Sequence, residues 1–196
     1  MRPKLRLYSG LFALSLVSGA AGCSDSSAPR SAAAPRTAAP ALSLVDAGAT
    51  ATNVTTFVYS PASPQVFSLG KGHKIFFDAN AVCDPATSTY GPTEWDQPCE
   101  PLAAPIAVTA VVSENAYGRP RVDFAPALRF VPGAYVVLYL KDWGAAADSA
   151  AVIQWCPDDG ECVSEEDQSL VVTKRDGRSG FVYRLIKHFS GYNISV

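Results

Sequence analysis

The sequence has 196 residues, of which 18 are acidic and 16 basic, and its formal net charge is −2. Three of the basic residues precede position 23, so the rest of the chain carries 13 basic against 18 acidic residues, a net charge of about −5. Nucleic-acid binding requires a clustered basic face, so this balance excludes nucleic acid as a partner and also excludes polybasic attachment to a membrane.

The first 22 residues have the pattern of an export signal. Three basic residues within 2–6 are followed by an apolar run over 7–17 and by small residues over 18–22. This order predicts a secretory signal peptide, and the apolar run is shorter than the ~20 residues that span a bilayer. We therefore predict that residues 1–22 are a signal peptide removed on export.

Cys23 follows this segment directly and is the odd cysteine among five. Residues 20–23, AAGC, resemble the lipobox of bacterial lipoproteins, with Ala20 where Leu is usual. The resemblance implies that Cys23 carries acyl chains such as palmitate, which hold the protein on a lipid membrane. The two polar residues after Cys23 then favour the outer membrane or the cell surface. The alternative is ordinary cleavage after Ala21, which gives a secreted protein.

Two further segments follow the lipidation site. Residues 23–44 are rich in Ala, Pro and Ser and contain few large apolar side chains. Such a composition cannot bury enough surface to offset chain entropy, so it predicts a disordered tether. Residues 45–196 are sufficient for one domain with a sizeable core.

Short runs rich in Val, Ile, Phe and Tyr dominate the domain and are separated by Gly, Pro, Asp and Asn. This pattern predicts an all-β domain, a β-sandwich of about 8–10 short strands. Residues 143–151 are the single helix candidate, and Asp176-Gly177 predicts a tight hairpin. The predicted strands are 55–59, 65–69, 74–77, 106–113, 121–124, 135–141, 151–156, 169–174, 180–188 and 192–196.

The four downstream cysteines form two near-neighbour pairs. In an exported chain this predicts disulfides, and of the three connectivities we favour the two local ones, Cys83–Cys99 and Cys156–Cys162. The first closes a loop of 15 residues and stabilises the fold by about 3 kcal/mol. A Cys₄ zinc site is the rival interpretation, but it requires shorter spacings, so no metal or other cofactor is predicted.

Three segments resemble ZU5-like domains. They are residues 74–81 (KIFFDANA), 122–132 (VDFAPALRFVP) and 188–192 (HFSGY). The last is similar to the His-Phe-Ser-x-Tyr pattern near the final strand of that family. The resemblance covers about residues 65–196 and implies a β-sandwich.

The resemblance also implies a chemical alternative. In some ZU5 domains the hydroxyl of the serine in this motif attacks the preceding carbonyl and the histidine takes its proton, so the chain cleaves itself. Transferred to this sequence, Ser190 is the nucleophile, His188 the base, and Phe189–Ser190 the scissile bond. The structural alternative is that Phe189 packs in a strand corner while His188 and Ser190 hydrogen-bond the turn.

The loop 84–98 is the best binding candidate in the sequence. Tyr90 and Trp95, together with Tyr59, offer aromatic faces of the kind that protein interfaces and sugar sites use. Trp95 has an alternative role as a plug at the end of the sandwich beneath the disulfide. The acidic run 158–167 lacks the spacing of a calcium loop and is interpreted as solvated.

These observations favour a non-enzymatic, lipid-anchored binding or structural module of the cell envelope, with an envelope protein or a glycan as partner. A self-cleaving domain centred on Ser190 is the first alternative. A secreted carbohydrate- or calcium-binding module is the second.

Overall fold

Ten β-strands and one short helix form the described part of the chain. The computed structural model describes residues 53–157, 161–166 and 171–196. The elements are β1 (Asn53–Tyr59), β2 (Gln65–Gly70), β3 (His73–Phe77), β4 (Ile106–Glu114), β5 (Pro120–Ala125), β6 (Val136–Lys141), α1 (Trp143–Ala147), β7 (Val152–Cys156), β8 (Lys174–Asp176), β9 (Phe181–Leu185) and β10 (Gly191–Ser195).

The strands form two antiparallel sheets of five strands each. The first has the order β1-β4-β5-β10-β7 and the second the order β2-β3-β6-β9-β8. Strands make up 47% of the structure and helix 4%. The predicted all-β sandwich is therefore confirmed, and its strand count lies within the predicted range.

Side chains alternate between the core and the surface along most strands. In β3, for example, His73, Ile75 and Phe77 are buried, whereas Lys74 and Phe76 are partly exposed. The same alternation runs through β6 and β9. A period of two places one face of each strand against the opposite sheet, so the apolar residues of both sheets form a single core.

Phe189 links the two sheets through the aromatic part of this core. Its ring stacks on Phe124 of β5, with centroids 4.3 Å apart, and meets the ring of Phe77 in β3 edge-on at 5.8 Å. Aromatic pairs of this kind contribute about 0.5–1.5 kcal/mol each beyond the area that they bury. Phe189 therefore fixes the chain segment that carries the His-Phe-Ser motif.

The helix is shorter than the sequence predicted. Asp142 caps its first turn by accepting the Ala145 amide N–H at 2.9 Å, and the helix ends at Ala147 instead of residue 151. Asp148 is extended and accepts the Ala150 N–H on its side chain at 2.8 Å. A short acidic side chain thus bonds the local backbone in place of the helical ladder, which stops the helix.

Two predicted strands are corrected. Within the predicted strand 169–174, only Lys174 belongs to a described strand, β8, and residues 169 and 170 lie outside the described chain. Thr173 makes hydrogen bonds that involve side chains and not those of a strand ladder. Its amide donates to the Glu166 carboxylate at 2.6 Å, and its hydroxyl accepts from the Ile153 amide at 2.9 Å.

The predicted strand 180–188 is also shorter, because β9 ends at Leu185. The chain then leaves the second sheet through residues 186–190 and enters β10 in the first sheet. The predicted tight hairpin at Asp176-Gly177 is a longer turn, since Asp176 pairs with Phe181. The ends of the other strands differ from the prediction by one or two residues, as expected for strand ends.

No helix among the described residues is long and apolar enough to cross a lipid bilayer. The predicted signal peptide, Cys23 and the predicted tether lie outside the described residues.

Candidate functional site

The connector 186–190 crosses from one sheet to the other at one end of the sandwich and carries the His-Phe-Ser motif. The Phe189 amide N–H donates to the Leu128 carbonyl at 2.6 Å. The Phe124 N–H donates to the Ser190 carbonyl at 3.2 Å. Because the backbone is held on both sides of the motif, its side chains have fixed directions.

His188 is the centre of the site, and its imidazole is fully buried. The Nδ1 atom lies 3.2 Å from Ser190 Oγ, and the Nε2 atom lies 3.3 Å from Glu165 Oε1. A carboxylate accepts hydrogen bonds only, so a neutral ring donates from Nε2 to Glu165 and accepts at Nδ1. Ser190 is therefore hydrogen-bonded to the basic nitrogen.

Two charged residues stand behind the imidazole. Arg184 is 1% exposed; its guanidinium donates to Glu165 Oε2 and, at 2.9 Å, to the Ile153 carbonyl. Burial raises the pKa of Glu165, but the hydrogen bond from His188 and the charge of Arg184 together lower it by more. The net shift of the Glu165 pKa is therefore downward. Glu165 is thus ionised, and Arg184 balances its charge.

The imidazole itself stays neutral. Burial lowers the pKa of His188 below its ordinary value, the nearby cations Arg184 and Lys187 act in the same direction, and Glu165 opposes them. Burial is the largest effect because a dry environment penalises the charged ring. A neutral imidazole with an unprotonated Nδ1 is the form that can accept a proton from a hydroxyl.

Tyr90 contacts the peptide bond within the motif. Its hydroxyl donates to the Phe189 carbonyl oxygen at 2.6 Å and lies 3.3 Å from His188 Nδ1. A donor at this position polarises the Phe189–Ser190 carbonyl, as donors in an oxyanion hole do. Three groups therefore meet at one peptide bond. They are the Ser190 hydroxyl, the His188 base with its carboxylate partner, and the Tyr90 hydroxyl that donates to the carbonyl.

Aromatic rings cover the imidazole. Trp95 stacks on His188 with centroids 3.6 Å apart, Trp155 meets the imidazole edge-on at 5.4 Å, and Tyr192 lies at 5.7 Å. The Tyr192 hydroxyl also donates to the His188 carbonyl at 2.9 Å. These rings exclude solvent, which strengthens the polar contacts inside.

The loop that carries Tyr90 and Trp95 is held in place by hydrogen bonds from a buried arginine and by a disulfide. The buried guanidinium of Arg129 donates to the carbonyls of Glu94 and Gln97 at 2.8 and 2.6 Å. The disulfide Cys83–Cys99 closes the base of the loop. The second predicted pair, Cys156–Cys162, is also joined.

The structure places the two aromatic residues of the predicted binding loop at this site. Trp95 is 7% exposed and fills the end of the sandwich, which is the plug arrangement, and Tyr90 is more exposed but directs its hydroxyl inward. Tyr59 is corrected: it is fully buried in β1, and its hydroxyl accepts the Ala81 amide N–H. A ligand for this loop stays a prediction.

Three contributors were missed by the sequence analysis. Arg129 and Arg184 both occupy buried positions, and Glu165 belongs to the acidic run that was interpreted as a solvated loop. For Arg184 a signal exists, because it falls in phase with the inward-facing Val182 of β9. In the described residues no group of three or more His, Cys, Asp or Glu side chains has the arrangement of a metal site.

No protein-family model, no curated protein and no solved structure matches this chain. The resemblances to ZU5-like domains and to bacterial lipoproteins therefore stay predictions.

Proposed function

We propose that this protein is an exported, lipid-anchored module of the cell envelope that binds or scaffolds a partner and catalyses no reaction on other molecules. The observation that carries the proposal is the pair of disulfides, Cys83–Cys99 and Cys156–Cys162. Disulfides persist in oxidising compartments, so they indicate a non-cytoplasmic environment. Acylated Cys23 supplies the membrane anchor in this proposal, at the outer membrane or the cell surface.

The enclosure of the His188 site supports a non-enzymatic role. The imidazole is fully buried beneath Trp95, so a separate substrate has no path to its nitrogen atoms in this conformation. Enzyme sites are usually open clefts that bury most of a ligand. The hydroxyl of Ser190 and the Glu165 carboxylate instead contact His188, and the Tyr90 hydroxyl bonds the backbone of the connector.

The anchor is tested by labelling cells with an alkyne analogue of palmitate and separating membrane from soluble material. Wild type is expected in the membrane fraction with label, and Cys23→Ser in the soluble fraction without label. Ser24→Ala is the matched control and is expected to behave like wild type. Wild-type protein that is unlabelled and keeps residues 1–22 contradicts the proposal.

We propose a second candidate function, self-cleavage between Phe189 and Ser190, because one geometric observation favours it. Ser190 Oγ lies 3.2 Å from His188 Nδ1, and Tyr90 donates to the Phe189 carbonyl. In the reaction Oγ forms a bond to the Phe189 carbonyl carbon while the C–N bond breaks. His188 takes the hydroxyl proton and passes it to the leaving nitrogen.

The resulting ester is then hydrolysed by water, which leaves a carboxylate on Phe189 and a new amino terminus at Ser190. The C-terminal segment of seven residues contains β10, which is hydrogen-bonded between β5 and β7. It therefore stays bound after cleavage. The backbone at 188–190 has no residue with positive φ, so the strain that promotes such cleavage is not provided there.

Intact mass under denaturing conditions decides between the two candidates. Self-cleavage predicts a chain that is shorter by the seven residues from Ser190 to Val196, and both Ser190→Ala and His188→Gln are expected to remain whole. Ser179→Ala is the control, because Ser179 lies in the turn after β8. Wild-type protein that keeps its full mass contradicts self-cleavage and agrees with the non-enzymatic module.

A further inference from the structure

A polar cavity of about 510 Å³ lies at the opposite end of the sandwich from His188. It is lined by the turn between β2 and β3, the turn between β4 and β5, and the beginning of α1. Strand β5 runs from one end of the sandwich to the other. Pro120 at its start lines the cavity, whereas the Phe124 amide near its end donates to the Ser190 carbonyl. The cavity is therefore separate from the site described above.

His73 is the most informative residue of the cavity because it is 4% exposed and the backbone fixes one of its two ring nitrogens. Its Nδ1 accepts the Lys141 amide N–H at 2.9 Å, so the neutral ring carries its hydrogen on Nε2. No group among the described residues accepts a hydrogen bond from Nε2. Nε2 is not one of the buried side-chain atoms that lack a partner, so it is accessible from the cavity and can donate to a ligand acceptor.

The neutral form of His73 is favoured by its surroundings. Burial lowers the pKa of His73 below its ordinary value, the charge of Lys71 acts in the same direction, and Asp142 opposes both. His73 therefore presents a single uncharged donor at neutral pH.

The cations around the cavity are all engaged, two of them by carboxylates and Lys141 by an aromatic ring. Arg119 contacts both carboxylate oxygens of Asp142, at 2.9 and 3.1 Å, and Lys71 contacts Glu114 at 3.3 Å. The ammonium group of Lys141 lies over the Trp143 ring, 4.1 Å from its centroid. The lining holds three cations and two carboxylates, and each cation is already engaged. The cavity therefore offers fixed donors and acceptors together, which suits a neutral ligand with hydroxyl groups.

Tyr117 lies at the rim of the cavity and is 86% exposed. It belongs to a turn that Asn115 makes rigid: the Asn115 side-chain oxygen accepts the amides of Tyr117 and Arg119, both at 3.0 Å. The Asn115 side-chain amide also donates to the Ile194 carbonyl at 3.1 Å. An aromatic ring on a rigid turn loses little entropy when it binds, and its face packs against apolar C–H groups.

We propose that this cavity binds a neutral saccharide. A sugar ring packs its C–H face on Tyr117, one hydroxyl accepts from His73 Nε2, and neighbouring hydroxyls bond the Arg119–Asp142 pair. This inference rests on the proposed binding function, because it names the chemical class of the envelope partner.

The test uses the full mature protein in a detergent without a sugar headgroup. The probe is a printed array of neutral and acidic oligosaccharides, and each neutral glycan that binds is then titrated calorimetrically. Wild type is expected to bind neutral glycans. Tyr117→Ala is expected to weaken binding about tenfold, whereas Tyr117→Phe keeps the ring and most of the affinity.

Tyr135→Ala is the matched control, because Tyr135 is also exposed but lies at the other end of β6. Its glycan affinity is expected to equal that of wild type. Binding of acidic glycans or inorganic phosphate alone overturns the proposal, as does an array without binding or an equal loss in Tyr117→Ala and Tyr135→Ala. Membrane fractionation of the same protein is independent: an anchored protein that binds no neutral glycan removes this inference and leaves the envelope role standing.

Discussion

Trp95 stacks on His188, with ring centroids 3.6 Å apart and planes 18° apart. The two residues come from distant parts of the chain, since Trp95 lies in the disulfide-closed loop and His188 in the connector before the last strand. The stacked pair joins the loop to the motif and keeps solvent from the imidazole. The stability of this end of the sandwich therefore depends on the loop.

Replacing Trp95 with alanine is expected to reduce the free energy of unfolding by about 3–5 kcal/mol, because it removes a buried ring between His188 and Trp155. Urea denaturation followed by circular dichroism measures the change. Tyr117→Ala removes an exposed ring and is expected to stay within about 0.5 kcal/mol of wild type. A loss in Trp95→Ala as small as the one expected for Tyr117→Ala would contradict a contribution of Trp95 to the core.

Acidification is expected to destabilise the fold through His188. The pKa of His188 is lowered in the folded protein, chiefly by burial, whereas the unfolded chain titrates near the ordinary value of 6.5. The unfolded state therefore binds more protons at low pH. The contribution of His188 is present above about pH 6.5 and is lost as the pH falls through the lowered pKa of the folded state.

The measurement is the melting temperature between about pH 7.5 and about pH 5. Wild type is expected to lose stability across this window, and His188→Gln is expected to lose less, since glutamine does not titrate. Part of the decrease remains in the variant, because burial also lowers the pKa of His73. A variant with the same pH dependence as wild type would contradict the assignment to His188.

Much of the fold follows from local sequence pattern, but the path of the connector between the two sheets does not. A period of two in β3 or β6 leaves one face apolar, so those strands are visible in the sequence. The connector 186–190 has the same composition as a strand, and the prediction extended β9 into it as far as residue 188. Its change of direction comes from long-range bonds, such as that from the Phe189 amide to Leu128, which no local pattern contains.

The candidate site was only partly predictable for the same reason. The His-Phe-Ser motif is contiguous and can be identified by resemblance, but Glu165 lies 23 residues from His188 in sequence. Its acidic neighbours gave it the appearance of a solvated position. The pairing of Glu165 with Arg184 depends on the fold, because Arg184 faces inward only once β9 is packed.

Loss of the Cys83–Cys99 disulfide is expected to lower the free energy of unfolding by about 3 kcal/mol, because the bridge closes a long loop in the unfolded state. The Cys83→Ser/Cys99→Ser double variant tests this by urea denaturation. The bridge also fastens the loop that carries Trp95, so the variant is expected to show red-shifted tryptophan emission while still folded. Unchanged stability and emission would argue that Arg129 alone holds the loop.

Arg184→Met is expected to cost about 3–5 kcal/mol of unfolding free energy, because it leaves the Glu165 carboxylate without its cation in a buried setting. Lys71→Met breaks an exposed pair with Glu114 and is expected to change stability little. The double variant Arg184→Met/Glu165→Leu removes both charges, and it is expected to be more stable than Arg184→Met alone although His188 loses its acceptor. If the two changes instead add, the cost of Arg184→Met reflects lost packing against Tyr192 and the Ile153 carbonyl, and the charge of Glu165 contributes nothing.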